Sequence, residues 1–176
     1  MRFLRSSEKN VTNPEFNILI ICTGNTCRSP MAEGILKSIL KERGIEKVHV
    51  GSAGIGAMNG MMATPYGIEA AGNWNVDISN HRARQLTRDL IDQSDLILAM
   101  APEHVETVLR KAPNAGKKTF MLKAFPTPYS SSQERIQDPI GGTLGDYNQT
   151  FLELDEILRR IVNRIIELSG SLKKDS

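Results

Sequence analysis

Cysteine, histidine and aromatic rings are scarce in this chain, and each scarcity removes a class of protein. Cys22 and Cys27 are the only cysteines among 176 residues. Two thiols so close together, beside an arginine, make a poor disulfide framework and fit thiol chemistry in a reducing compartment. The cytoplasm is the expected location. His49, His81 and His104 stand far apart in the chain, without metal-ligand spacing. No metal and no other cofactor is expected, and His49 and His104 read as ordinary surface residues. Long apolar runs are missing as well, for nothing approaches the ~20 residues of a membrane span. Met1–Glu15 places Arg2, Arg5 and Lys9 among polar residues where a secretory signal would be apolar. Charge of one sign is also lacking. A net charge of +2 supplies no overall field toward nucleic acid or an anionic membrane, so any attraction for anions is local.

What is present is ordinary globular composition, 40% hydrophobic and 24% charged, which argues against extended disorder. The expected organisation is a disordered extension over residues 1–15 and one domain over 16–176. Asn17–Cys22 reads NILIIC, a short apolar run with β-branched residues, followed by the turn-like TGNT and then Ser29 and Pro30. Strand, loop and helix start follow in that order. Met31, Ile35, Leu36, Ile39 and Leu40 recur at helical spacing, with Ser29 as cap and Gly44 as stop. A second strand is expected over Lys47–Val50, a second helix from Thr64 and Pro65 to Gly72, and a third strand over Ser94–Met100. Pro102 opens a helix with Val105, Val108 and Leu109 on its apolar face, and Lys118–Lys123 reads as a fourth strand. After a polar, proline-rich stretch, Phe151, Leu154, Leu158, Ile161, Ile165 and Leu168 form the core stripe of a last helix. Apolar strands alternating with helices predict an α/β fold of three layers, a doubly wound parallel sheet of about four strands covered on both faces. Such sheets bind ligands at strand carboxyl ends, and the first strand delivers Cys22 there.

The segment Cys22-Thr23-Gly24-Asn25-Thr26-Cys27-Arg28-Ser29 can turn its backbone N–H groups toward one centre, with the positive end of a helix dipole behind it. That centre suits a dianion such as inorganic phosphate or another oxyanion. Cys22, facing the same donors, is expected as a thiolate nucleophile, stabilised by the helix amino end and Arg28. The planar fork of Arg28 can hold two phosphoryl oxygens through the transition state, which lysine does less well. A cysteine and an arginine at this spacing are a weak signal alone; the strand before and the serine, proline and helix behind supply the specificity. Asp138, in an Asp-Pro pair within the long loop before the last helix, is placed to protonate a leaving atom. His81 reads as structural, bonding the phosphate loop or its neighbours. Cys27 is a packed residue, a redox partner that could join Cys22 under oxidation, or both.

At these residues the chain resembles the low-molecular-weight protein-tyrosine-phosphatase family, with CTGNTCRSP as the motif. GSAG at Gly51–Gly54, HRARQLT at His81–Thr87, DLILAM at Asp95–Met100 and the Asp138-Pro139 pair follow in family order. The resemblance implies a phosphocysteine at Cys22, Arg28 as phosphate binder, Asp138 as acid and then base, Asn25 as loop organiser and Ser29 as hydroxyl donor to the sulfur. It implies a phosphorylated protein as substrate, with neither nucleic acid nor membrane as partner, and a monomer or weak dimer.

Tyrosine-specific relatives line their pocket with aromatic side chains, whereas Ile55–Met62 has none here and Ile140 follows Pro139. A phenyl ring thereby loses stacking partners worth about 0.5–1.5 kcal/mol each, unless Tyr66, Tyr129 or Tyr147 replaces them. Thr26 and the GGT at Gly141–Thr143 resemble the bacterial protein-arginine-phosphatase branch. Phosphoarginine is therefore favoured slightly over phosphotyrosine. Two other classes share the loop. An arsenate reductase would need a further cysteine after Cys27, which the chain lacks. A phosphocysteine carrier or phosphate-binding module would need no acid at Asp138.

Overall fold

A computed structural model describes residues 15–170. The expected extension over residues 1–15 lies, Glu15 apart, outside the described residues. β1, Phe16–Cys22, runs through the middle of a parallel sheet of order β2-β1-β3-β4, with β2 at Val48–Gly54, β3 at Leu96–Ala99 and β4 at Thr119–Met121. Its apolar residues run without interruption because both faces are covered. Ile18 and Ile20 belong to the cluster beneath α1 (Arg28–Glu42) and α5 (Leu144–Leu168), whereas Leu19 and Ile21 pack with Ile91 of α3 (Arg88–Gln93) and Val108 of α4 (Pro102–Lys111). Period-two alternation along one strand thus feeds two cores. α2, Pro65–Gly72, packs against α5.

Several boundaries differ from expectation. β2 runs on to Gly54, and Cys22 pairs with Gly54 in register. Pairing with a strand already buried overrides the weak strand preference of Gly-Ser-Ala-Gly. β4 is shorter than Lys118–Lys123, because the Lys118 ammonium turns to the Ile91 and Ser94 carbonyls and the chain turns after Met121. Ser29 does not cap α1: the helix begins at Arg28, and the Ser29 hydroxyl faces Cys22 and Asn25. Leu168 does not join the core stripe. It is exposed on the last turn of α5, beyond the reach of the sheet, whereas Phe151, Leu154, Leu158, Ile161 and Ile165 are buried. α5 opens on a capping box, Thr143 Oγ1 accepting from the Asp146 amide at 3.2 Å and the Asp146 carboxylate from the Thr143 amide at 2.8 Å. Among the described residues no helix is long and apolar enough to cross a membrane.

Candidate active site

The turn from β1 into α1 curls around the Cys22 sulfur. Ser29 Oγ lies 2.9 Å from Sγ and the Asn25 amide donates to it at 3.3 Å. Asn25 occupies the left-handed region with φ 55, where an asparagine is tolerated better than most residues. Its buried side chain explains why it stands there: Nδ2 donates to Ser29 Oγ at 2.8 Å and to Ser52 Oγ at 2.9 Å, and Oδ1 accepts from the Arg84 amide at 3.0 Å. The Ser52 hydroxyl donates to Glu33 Oε2 at 2.8 Å, and His81 Nε2 lies 2.7 Å from the Asn25 carbonyl. That carbonyl can only accept, so Nε2 carries the proton. Ser52, Glu33 and Arg84 were not assigned roles by sequence reasoning. Ser52 and Arg84 lie in the GSAG and HRARQLT runs, which stood out as landmarks of the resemblance without showing what they hold, and Glu33 lies in α1.

Arg28 is 3% exposed and its guanidinium spans the loop and the acid segment. Nη1 donates to the Ile136 carbonyl at 2.9 Å, and Nη2 lies 3.3 Å from Asp138 Oδ2. Ile136 is fixed in turn by its own amide, which donates to the Met100 carbonyl at 2.8 Å. Asp138 Oδ1 accepts the Ile140 amide at 3.1 Å, so the carboxylate is aimed at the loop from a partly exposed position. The structure therefore brings together Cys22, Asn25, Arg28, Ser29, His81 and Asp138. A thiol, a guanidinium and a carboxyl group around one anion-sized ring can support in-line phosphoryl transfer.

The family model for low-molecular-weight phosphotyrosine protein phosphatases matches residues 17–175. This chain belongs to the low-molecular-weight phosphotyrosine protein phosphatase family. It is 39% identical to a protein-arginine-phosphatase of Bacillus subtilis (strain 168) over 159 residues, which is 90% of this chain and 98% of that one. It is 37% identical to the low-molecular-weight protein-tyrosine-phosphatase Wzb of Escherichia coli (strain K12) over 124 residues, 67% of this chain and 81% of Wzb. A solved YwlE arginine phosphatase, a cysteine-to-serine mutant with a phosphorylated active-site serine, superposes with a TM-score of 0.76 at 38% identity, covering 91% of this chain and 97% of that one. The chain is a protein phosphatase of cysteine-based mechanism.

Within this phosphatase two opposed effects act on the nucleophile. Burial pushes the Cys22 thiol above its ordinary value, and the Ser29 hydroxyl, the Ser29 amide, the Arg28 charge and the Asn25 amide pull it back. The donors are in place, but a fully enclosed sulfur loses more hydration than they return. His104, expected at the surface, is a correction. It is fully buried, with Nε2 2.9 Å from Thr23 Oγ1, and burial followed by the Arg28 charge lowers its pKa to about 4. The signal that could have found it is its place four residues before Val108, on the stripe that faces the core. His49 is half-buried and pairs with Glu15 at 2.7 Å.

Cys27 does not face the anion ring. Its sulfur lies 3.3 Å from the Tyr147 hydroxyl and 3.6 Å from Thr64 Oγ1, and both cysteines are free thiols. Tyr147 is thus buried behind the loop, Tyr129 bonds Glu106 at 3.0 Å, and Tyr66 stacks edge-on against Tyr147. Beside the ring runs a groove of about 850 Å³, lined by Thr26, Met61, Met62, Pro65, Ile68 and Ile140. Among the described residues its wall carries no aromatic side chain.

Proposed function

We propose that this phosphatase removes phosphoryl groups from phosphoarginine in proteins, with Cys22 as nucleophile, Arg28 as phosphate clamp and Asp138 as acid and then base. The Cys22 thiolate attacks phosphorus as the bond to the guanidine nitrogen breaks, and Asp138 gives its proton to that nitrogen. Arg28 and the amides from Thr23 to Ser29 hold the three equatorial oxygens as they flatten. Asp138, now a carboxylate, takes a proton from the water that attacks the phosphocysteine, and the Ser29 hydroxyl stabilises the departing sulfur. Inorganic phosphate is released, with the Cys22 thiolate restored and Asp138 protonated again.

The observation that carries the substrate reading is Thr26 on the wall shared by the ring and the groove, where aryl-stacking side chains are missing. A hydroxyl there offers a guanidinium a hydrogen-bond acceptor, and an aryl ring gains nothing from it. The similarity to protein-arginine-phosphatases over nearly the whole chain supports the same choice. Two free thiols fit a reducing cytoplasm, and the reading takes the enzyme as a monomer or weak dimer.

The test compares kcat/KM on phosphoarginine and phosphotyrosine peptides for wild type and Thr26→Ile, with a chelator present throughout. Wild type should favour phosphoarginine and Thr26→Ile should shift the ratio toward phosphotyrosine by about tenfold or more, some 1.4 kcal/mol of discrimination. Equal preference before and after removes Thr26 from the argument. In the same assay Cys22→Ser should show no turnover, and Asp138→Asn should slow it by roughly 10²–10⁴-fold. Full activity in either variant overturns the assigned role.

A further inference from the structure

Thr23 Oγ1 sits between two nitrogens, 2.9 Å from His104 Nε2 and 3.5 Å from Arg28 Nη2, and that same Nη2 lies 3.3 Å from Asp138. The four side chains form one line from the first turn of α4 to the acid. His104 is completely enclosed, and its Nδ1 is buried with no protein partner. An enclosed N–H without an acceptor is costlier than a bare ring nitrogen, so the network assigns the proton to Nε2, which donates to Thr23 Oγ1. The threonine oxygen then accepts from both His104 and Arg28. Its own proton has neither of them as an acceptor, and because Thr23 is exposed at the loop's mouth, that proton is free to turn to an anion in the ring.

We propose that His104 is a positioning residue for phosphoryl transfer, fixing the Thr23 hydroxyl so that its oxygen braces Arg28 while its proton faces the bound phosphoryl group. A neutral imidazole suits the task, since a second positive charge beside the Arg28 guanidinium would repel it, and burial opposes one as well. The anchor is rigid. Pro102 starts α4, the His104 amide donates to the Ala101 carbonyl at 3.0 Å, and Glu103 grips Arg135 of the acid segment at 2.8 and 3.1 Å. α4 therefore holds the loop threonine and the acid segment in one frame. The inference rests on the clamping role of Arg28 proposed above.

The experiment measures kcat and KM on an aryl phosphate, and the affinity for orthovanadate, in Thr23→Val, His104→Leu, their double variant, His104→Gln and Arg28→Lys. Thr23→Val and His104→Leu should each lower kcat by about tenfold, the loss of one well-placed hydrogen bond, with KM little changed and vanadate bound more weakly. The double variant should be no worse than the poorer single one, because both break the same line. His104→Gln, whose amide N–H reaches the place of Nε2, should recover most of the rate. A folded His104→Leu with wild-type kcat, losses that multiply in the double variant, or a Gln variant no better than Leu each overturn the proposal. Should His104→Leu fail to fold, Thr23→Val decides alone, and an unchanged kcat there overturns it. Arg28→Lys separates the two readings. Full activity in it removes the clamp and this inference together, whereas an inactive Arg28→Lys beside unaffected Thr23 and His104 variants removes this inference only.

Discussion

Cys22 is caught between two opposed effects, and their order decides what a neighbouring substitution does. Burial raises the thiol, and the side-chain hydrogen bond from Ser29, at 2.9 Å, is the largest of the groups lowering it. Ser29→Ala removes that bond, and with it a partner of the Asn25 side-chain Nδ2. The Cys22 ionisation should therefore move to higher pH. The pH dependence of Cys22 alkylation by iodoacetamide reads this directly, with Cys27→Ala as background in both proteins. A Ser29→Ala profile that coincides with wild type, or shifts to lower pH, would sink the assignment of Ser29 as the main stabiliser of the thiolate. The same variant should hydrolyse its phosphocysteine more slowly, because the departing sulfur loses its donor.

At the scale of elements, the place where β2 ends constrains the loop as firmly as any side chain. Gly54 pairs with Cys22, and a Cβ at Gly54 would stand 2.4 Å from the Thr23 carbonyl oxygen and 2.9 Å from the Asn25 amide nitrogen. Both are backbone atoms of the phosphate loop and cannot swing aside. Gly54→Ala should displace the loop and reduce kcat by at least about tenfold, with a stability loss of roughly 1–3 kcal/mol. Wild-type kcat in that variant would show the loop to be far softer than its packing implies. GSAG stood out in the sequence, yet the reason for its last glycine is a contact across strands that no local pattern encodes. β1, the loop, α1 and α5 were legible because an apolar run, a turn and helical spacing are local signals. α3 escaped notice because RDLIDQ is too short and polar to show a period. It starts on Thr87, whose hydroxyl accepts the Leu90 amide at 3.2 Å. Ser29 misled for the opposite reason. Its local signature is that of a cap, but the tertiary partner Cys22 claims the hydroxyl.

Stability is a property of the whole molecule, and a fully buried titratable ring ties it to pH. His104 has its pKa lowered from 6.5 to about 4, first by burial and then by the Arg28 charge; Arg135 acts in the same direction, and Glu103 and Asp138 oppose it. Between those two values the unfolded chain binds a proton that the folded chain refuses. Stability from this group is thus full above about pH 6.5, falls as the pH drops through the window, and is lost below about 4. The swing is on the order of 3 kcal/mol, a large share of the 5–15 kcal/mol that holds a domain of this kind together. Other groups also link stability to pH, including His81, whose pKa burial lowers. A difference between two proteins cancels them. His104→Gln fills the site with a side chain that never takes up a proton, so the gap in unfolding free energy between wild type and variant should move in the variant's favour by up to about 3 kcal/mol from pH 7 to pH 4. Urea denaturation at each pH measures that gap. A gap that stays constant across the window would mean that His104 accepts its proton in the folded protein, and so lies in a wetter environment than its full enclosure beneath Thr23 describes.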